Sequence, residues 1–382
     1  MNPIYLDYNA TTPVGREVVD AMLPYLCEHF GNPSSLHPYG AAAKSAIESA
    51  RAKVAALLNC PSDDIVFTSG GTESNNAAIR GVALAAYERG NHIITSSVEH
   101  PAVLEVCRWL QNRGFRVTIL PVDSHGLVHP ADLEKAITSE TLLVSVMHAN
   151  NEVGTIQPIA ELAAIAHRHG ALMHTDAAQS VGKIPVRVEE LDVDLLSVAG
   201  HKLYAPKGVG ALYVQHGIRL EKLLHGASHE EGRRAGTENV PGIVGLGQAC
   251  ETVRPLLAGN NDRLRIMRER LHKGLLQELG GDAMHLNGHP EKRLPNTLSL
   301  GFRGVEANAL LSEIAGEVAA SAGAACHSEG VSVSAVLAAM KVPTEWAMGT
   351  VRFSVGLNTT AEEIDRAIKV VADAVRRRQP VQ

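Results

Sequence analysis

The sequence predicts an α/β fold: a large domain on a mainly parallel seven-stranded sheet, with a smaller α+β domain beside it. Two observations carry this. From about Asp64 to Val214, short apolar or β-branched runs alternate with amphipathic helical stretches, the pattern of βαβ units covered on both faces. After that block the alternation stops, and a second, shorter set of strands and helices follows.

The strand-like runs of the first block are DIVFTS (64–69), HIITSS (92–97), VTILPV (117–122), LLVSVM (142–147), ALMHTD (171–176), DLLSVA (194–199) and GALYV (210–214). Helical patterns such as ESNNAAIRGVALAAYERG and IAELAAIAHRHG lie between them. One long helical pattern, roughly Asn239 to Leu279, leads out of the block. Then come strand-like TLSLGF (297–302), helical EANALLSEI and a small-residue loop around Cys326. SAVLAAMKV, strand-like TVRFSV (350–355) and a closing helix complete the chain. That helix opens on the capping-box pattern Thr360-x-x-Glu363 and ends in Arg376, Arg377 and Arg378, which suit a helix C-terminus. The expected division is 15–255 for the large domain, with 1–14 and 256–382 forming the small one.

At 382 residues the chain is too long for one simple core. A hydrophobic share of 45% with 20% charged residues is that of an ordinary globular protein. The net charge of −6 argues against a dedicated nucleic-acid or anionic-membrane surface. No apolar run approaches the ~18–20 residues that a membrane helix needs. The start, MNPIYLDYNATTP, has neither the basic nor the apolar stretch of a secretory signal. The five cysteines are scattered and odd in number, without a CxxC pair. Neither a disulfide framework nor a metal site is expected, and a reducing cytoplasm is the expected location.

In parallel sheets, ligands bind beyond the carboxyl ends of the strands. Ser69-Gly70-Gly71-Thr72-Glu73-Ser74 follows the first run and opens a helix, which suits an anion cradle. A plain strand-to-helix turn accounts for it equally well. GxGxxG and a Walker Lys-Ser/Thr are both absent. Asp176 ends its strand, with Gln179 just after. A buried carboxylate needs a partner, and a pyridinium nitrogen is one; a helix N-cap is the other reading. Lys202, in Ala199-Gly200-His201-Lys202, suits a Schiff-base former of depressed pKa, whereas any lone lysine is ordinarily solvated. His100 after HIITSS suits an aromatic-stacking or proton-moving role, or simply a helix start before Pro101. Asn150 and Asn151 end a further strand. Thr72, His100, Asn151, Asp176 and Lys202 thus share one expected sheet edge. Cys326 sits among small residues, Ser321 to Gly330, as an accessible nucleophile would, although a small buried cysteine is the commoner case.

With those residues assembled, the sequence resembles the NifS-like cysteine desulfurases of the fold-type-I, class V aminotransferase superfamily. The resemblance rests on YLDYNATTP, FGNPSSLH, FTSGGTESNN, VEHPAVL, HANNEVGT, HTDAAQSVGK, GHKLYAPKGVGALY, EEGRRAGTENV and TVRFSVG, in family order. It implies the pyridoxal 5′-phosphate (PLP)-dependent transferase fold type I and a cysteine-to-alanine desulfurase. By resemblance, Lys202 carries the cofactor, Asp176 meets its pyridine nitrogen, and Gln179 and Asn151 lie near its ring oxygen. His100 stacks on the ring. Gly71, Thr72 and His201 hold the phosphate, with Thr237 reaching in across a homodimer. Arg352 and Asn151 take the substrate, and Cys326 accepts the sulfur for a protein acceptor. Lys202, Cys326 and His100 are the catalytic set so implied; no nucleic acid and no membrane is an expected partner. The sequence departs from the family pattern in three places: Ala199 stands for a usual phosphate-binding serine, Ala227-Ser228 for a glycine-rich stretch, and His327 for a frequent threonine. AlaAlaCysHisSer is also similar to selenocysteine lyases, so release of selenium from selenocysteine stays as the alternative.

Overall fold

The computed structural model describes residues 2–258, 262–327 and 330–379, with the backbone alone described at 258, 324–327 and 330–332. In chain order its strands are β1 (Ile4–Tyr5), β2 (Ile65–Thr68), β3 (His92–Ser96), β4 (Arg116–Leu120) and β5 (Thr141–Ser145). β6 (Leu172–Asp176), β7 (Leu195–Ala199), β8 (Gly210–Val214), β9 (Met284–Asn287) and β10 (Thr297–Phe302) follow. The last are β11 (Val318–Ala319), β12 (Ser321–Ala322), β13 (Ala324–His327), β14 (Gly330–Val333) and β15 (Thr350–Ser354).

Seven of these form the large sheet, in the order β2-β8-β7-β6-β5-β3-β4. Each corresponds to one expected run. The sheet is parallel except for β8, which runs against both neighbours. Its strands are buried along almost their whole length, because helices cover both faces and leave only β4 open at the edge. The order turns back between β3 and β5, so the loops after these two strands diverge and open a crevice.

A four-stranded sheet, β12-β15-β10-β9, forms the core of the later block. The Asp262–Leu279, Ala307–Ile314 and Ala361–Arg378 helices pack on it through Leu271, Leu310, Ile364 and Val371. Ile4 and Leu6 of the N-terminal segment are buried in the same cluster. The capping box at Thr360 forms: Thr360 accepts from the Glu363 N–H, and Glu363 returns the bond to the Thr360 N–H at 2.9 Å.

Two expectations change in detail. The long helical pattern is two helices, Val240–Ala258 and Asp262–Leu279. Gly259-Asn260-Asn261, a run of poor helix formers, separates them in sequence. The backbone around Cys326 is a strand pair rather than an irregular loop, with β13 and β14 antiparallel and Cys326 opposite Val331.

Candidate functional site

A cavity of about 220 Å³ opens at the carboxyl edge of the large sheet. Gly71, Thr72, His100, Asn151, Asp176, Gln179, His201, Lys202 and Arg352 all line it, with Asn9, Asn75 and Ala199 among the others. They arrive from several elements of both sheets and their connecting turns. Gly71 and Thr72 begin the Gly71–Ala85 helix directly after β2. That close turn depends on glycine: a Cβ at Gly210 would stand 2.7 Å from the Gly70 Cα. A Cβ at Gly71 would meet that of Ala199 at 3.2 Å, so the helix terminus and the end of β7 form one tight wall.

Lys202 follows β7 in a single helical turn, Gly200–Lys202. Its Nζ donates to the backbone carbonyls of Asn9 (2.5 Å) and Ala10 (2.7 Å). Burial, with Arg352 nearby, brings its pKa down to about 8, against the pull of Asp7 and Asp176. The amine is therefore partly neutral near physiological pH. Asp176 is buried at the end of β6; its Oδ1 accepts from the Ala178 N–H (2.9 Å) and its Oδ2 from Asn75 Nδ2 (2.7 Å). Asp176 closes a turn rather than capping a helix, since the next helix begins only at Val188, and both of its hydrogen-bond partners are neutral.

His100 caps the Pro101–Gln111 helix, its Nδ1 accepting from the Ala102 N–H at 3.1 Å. The cap places the ring proton of the neutral imidazole on Nε2. Burial lowers its pKa, with Asp176 opposing and Lys202 assisting. His201 Nδ1 lies 3.2 Å from Thr11 Oγ1, and burial, then the Lys202 charge, push its pKa down to about 4. Asn151 takes part through its carbonyl, which accepts from Asn9 Nδ2 (3.2 Å) and Arg352 Nη1 (3.0 Å). Asn150, fully buried, instead shapes the loop by accepting from the N–H groups of Glu152 and Val153.

Arg352 reaches the cavity from β15. Its Nη2 donates to Asp7 Oδ1 (2.8 Å) and Ser321 Oγ (3.0 Å), while its buried Nε has no hydrogen-bond partner among the described residues. Thr237 is exposed and does not line the cavity. Its segment is anchored by Glu230, which takes two bonds from Arg51 (2.7 and 2.9 Å) and one from the Phe67 N–H (2.8 Å). The Cys326 thiol, its accessibility and the mobility of its loop lie outside the described residues. Of the other cysteines, Cys107 and Cys250 are buried and Cys60 half-buried, and burial pushes all three up to about 12; Cys27 is exposed.

Four polar residues escaped the sequence reading. Asn9 and Asp7 come from the N-terminal segment, which hydrogen bonds to the His201 carbonyl through the Thr12 N–H (2.9 Å). Asn75 sits one helical turn beyond Thr72. Lys183 lies behind Gln179, its Nζ donating to Gln179 Oε1 at 2.7 Å. All four lie inside motifs that carry the family resemblance, YLDYNATTP, FTSGGTESNN and HTDAAQSVGK, but nothing in their residue types or spacing singled them out.

A mainly parallel sheet that brings a lysine, a buried carboxylate and a helix N-terminus to one cavity places this chain in the α/β class, with a site suited to a phosphate-bearing ligand. The aminotransferase class-V family model matches residues 4–367, and the chain belongs to that family. It is 49% identical over 375 residues to the cysteine desulfurase IscS of Methanosarcina thermophila, covering 98% of this chain and 92% of that protein. Among solved structures, a NifS-like protein superposes with a TM-score of 0.92 at 38% identity, over 98% of this chain and 100% of the other. SspA in complex with cysteine gives 0.82 at 37% identity, over 92% and 98%.

Proposed function

We propose that this chain is a PLP-dependent cysteine desulfurase, converting L-cysteine to L-alanine and taking the sulfur as a persulfide on Cys326. The observation that carries the reading is the placement of Lys202 and Asp176 in one cavity: an amine of lowered basicity, and a buried carboxylate whose bonded partners are neutral. Asp176 fits a pyridinium nitrogen, and the Gly71–Thr72 helix terminus fits a phosphate. When bound, the cofactor supplies an electron sink for the charge left on the substrate α-carbon.

The chain's own residues do the rest. Lys202 would hold the cofactor and, once released, would remove the α-proton with its neutral amine. Gly71, Thr72 and His201 would hold the phosphate, with no hydroxyl from Ala199. His100 would cover one ring face, and Gln179 and Asn151 would serve the ring oxygen. Arg352 takes the substrate carboxylate in a charge-assisted pair. The Cys326 thiolate would attack the substrate sulfur: the S–S bond forms as the C–S bond breaks, the bonding pair stays on the substrate side at the β-carbon, a proton delivered there makes the methyl group, and return of the α-proton completes alanine.

The exposed apolar side chains of Leu23, Leu26, Phe30, Leu36 and Tyr39 follow one another in one N-terminal stretch. Leu36 is 101% and Phe30 70% exposed, an arrangement that suits a buried contact with a second copy. A homodimer would bring the partner subunit's Thr237 to the phosphate. The persulfide then passes to a protein acceptor. Unpaired thiols at Cys27, Cys60, Cys107 and Cys250 suit a reducing cytoplasm. The organisation that goes with this reading is a large domain, 15–255, and a small one built from 1–14 and 256–382.

The test is alanine release with mass spectrometry. Wild-type protein given L-cysteine should release alanine and gain one reducible sulfur on the Cys326 peptide. Cys326→Ala should keep the yellow colour yet release almost no alanine. Full activity in that variant, or a persulfide on another cysteine, contradicts the assignment. Preferential turnover of L-selenocysteine would favour the lyase alternative.

A further inference from the structure

Lys183 stands behind the cavity wall and is only 6% exposed. It follows Gly182, whose φ of +80° carries the chain inward. A Cβ at Gly182 would approach Leu203 Cβ to 3.1 Å, so this turn packs against the residue after Lys202. Lys183 Nζ donates to Gln179 Oε1 (2.7 Å) and Asn9 Oδ1 (3.1 Å). No carboxylate is hydrogen-bonded to it among the described residues, and burial with the Lys202 and Arg352 charges holds its pKa well below the usual lysine range. Lysines ordinarily keep the amine in water. This one is retained in a costly place, which directs attention to what its donors do.

A carboxamide has one accepting end and one donating end. With Oε1 engaged by Lys183, Gln179 must present its N–H end to the other side. Its Nε2 donates to the Asn9 carbonyl at 2.9 Å, the same oxygen that accepts from Lys202 Nζ. Asn9 is fixed in turn: its Oδ1 also accepts from Asn296 Nδ2 (3.0 Å), and its Nδ2 donates to Thr297 Oγ1 (2.8 Å). The Lys202 side of the cavity therefore meets an amide donor.

We propose that Lys183 is a positioning residue: it sets the polarity of the Gln179 amide so that the cavity offers an N–H, not a carbonyl, to an anionic ring oxygen of the cofactor. This rests on the PLP reading above. That oxygen lies beside the carbon to which Lys202 would bind. An N–H there draws off negative charge and makes the lysine-bound nitrogen easier to deprotonate, whereas a carbonyl would repel the oxygen.

The experiment follows the visible absorbance of the holoprotein against pH. Asp176, Asp7, Arg352, His100 and His201, charged or titratable groups around Lys202, are unchanged in every variant. Lys183→Met should raise the absorbance midpoint by about half to one pH unit. Gln179→Leu should raise it too, and the double variant should move no further than Gln179→Leu alone. Lys183→Leu supplies a second donor-free side chain where the methionine variant does not fold. A wild-type midpoint in the Lys183 variants, or additive shifts in the double variant, would overturn the proposal. Wild-type protein that gains no visible band with PLP would instead overturn the functional reading beneath it.

Discussion

Arg352 and Asp7, 345 positions apart in sequence, meet in a 2.8 Å ion pair, and Arg352 lines the cavity. Ser321 Oγ donates to the same Asp7 oxygen at 2.9 Å, so this acid ties β15 and β12 to the N-terminal segment. An arginine already held by a carboxylate has its guanidinium fixed before an amino-acid carboxylate arrives.

Arg352→Ala should raise the KM for cysteine. Losing a charge-assisted hydrogen bond costs about 1.5–3 kcal/mol, or roughly ten- to a hundredfold. The bound cofactor should survive, and its visible band reads that directly. Loss of the band with a normal KM would place Arg352 on the cofactor phosphate.

Glu99 gives a pH-dependent stability test. It is buried beside His100, its Oε1 accepting from Ser96 Oγ (2.6 Å) and the Met147 N–H (2.9 Å), while Oε2 has no partner among the described residues. Burial pushes its pKa up to about 8, so the folded state holds a proton that the unfolded chain gives up near pH ~4.5. Between those values the folded state binds more protons, and stability falls as pH rises. Glu99→Gln, a lasting neutral analogue, should flatten that slope and raise Tm relative to wild type more at pH 8 than at pH 5. An equal Tm difference at both would show that Glu99 does not titrate in this window.

The exposed apolar stretch predicts assembly. Phe30→Asp combined with Leu36→Asp should sediment at the chain mass of 40.6 kDa, while wild type sediments at about twice that. A wild-type monomer, or a dimeric double variant, would assign this face to something else.

The strands were legible because each is a β-branched run buried on both faces and closed by small or polar residues. The same regularity placed Thr72, His100, Asp176 and Lys202 at one edge before any contact was known. What escaped depends on approach across the chain. Asn75 looks like an ordinary helix residue until Asp176, 101 positions away, meets it. Lys183 in SVGKIPV shows no mark of burial in the sequence, yet it is 6% exposed after the left-handed turn at Gly182. Asn9 and Asp7 lie in a segment with almost no regular structure, and their partners come from both sheets. The register of the Cys326 hairpin was illegible for a different reason: its small residues carry little strand propensity.

Reduction of the PLP-loaded protein with borohydride, followed by peptide mass spectrometry, tests the central claim most directly. Among the described residues the cavity is lined by one lysine, Lys202, whose pKa is lowered to about 8, while Lys183 behind the wall donates to Gln179 and Asn9. The pyridoxyl group should be found on the peptide carrying Lys202, and Lys202→Ala should remove it. A pyridoxyl group on Lys183, or none on any lysine, would contradict the account.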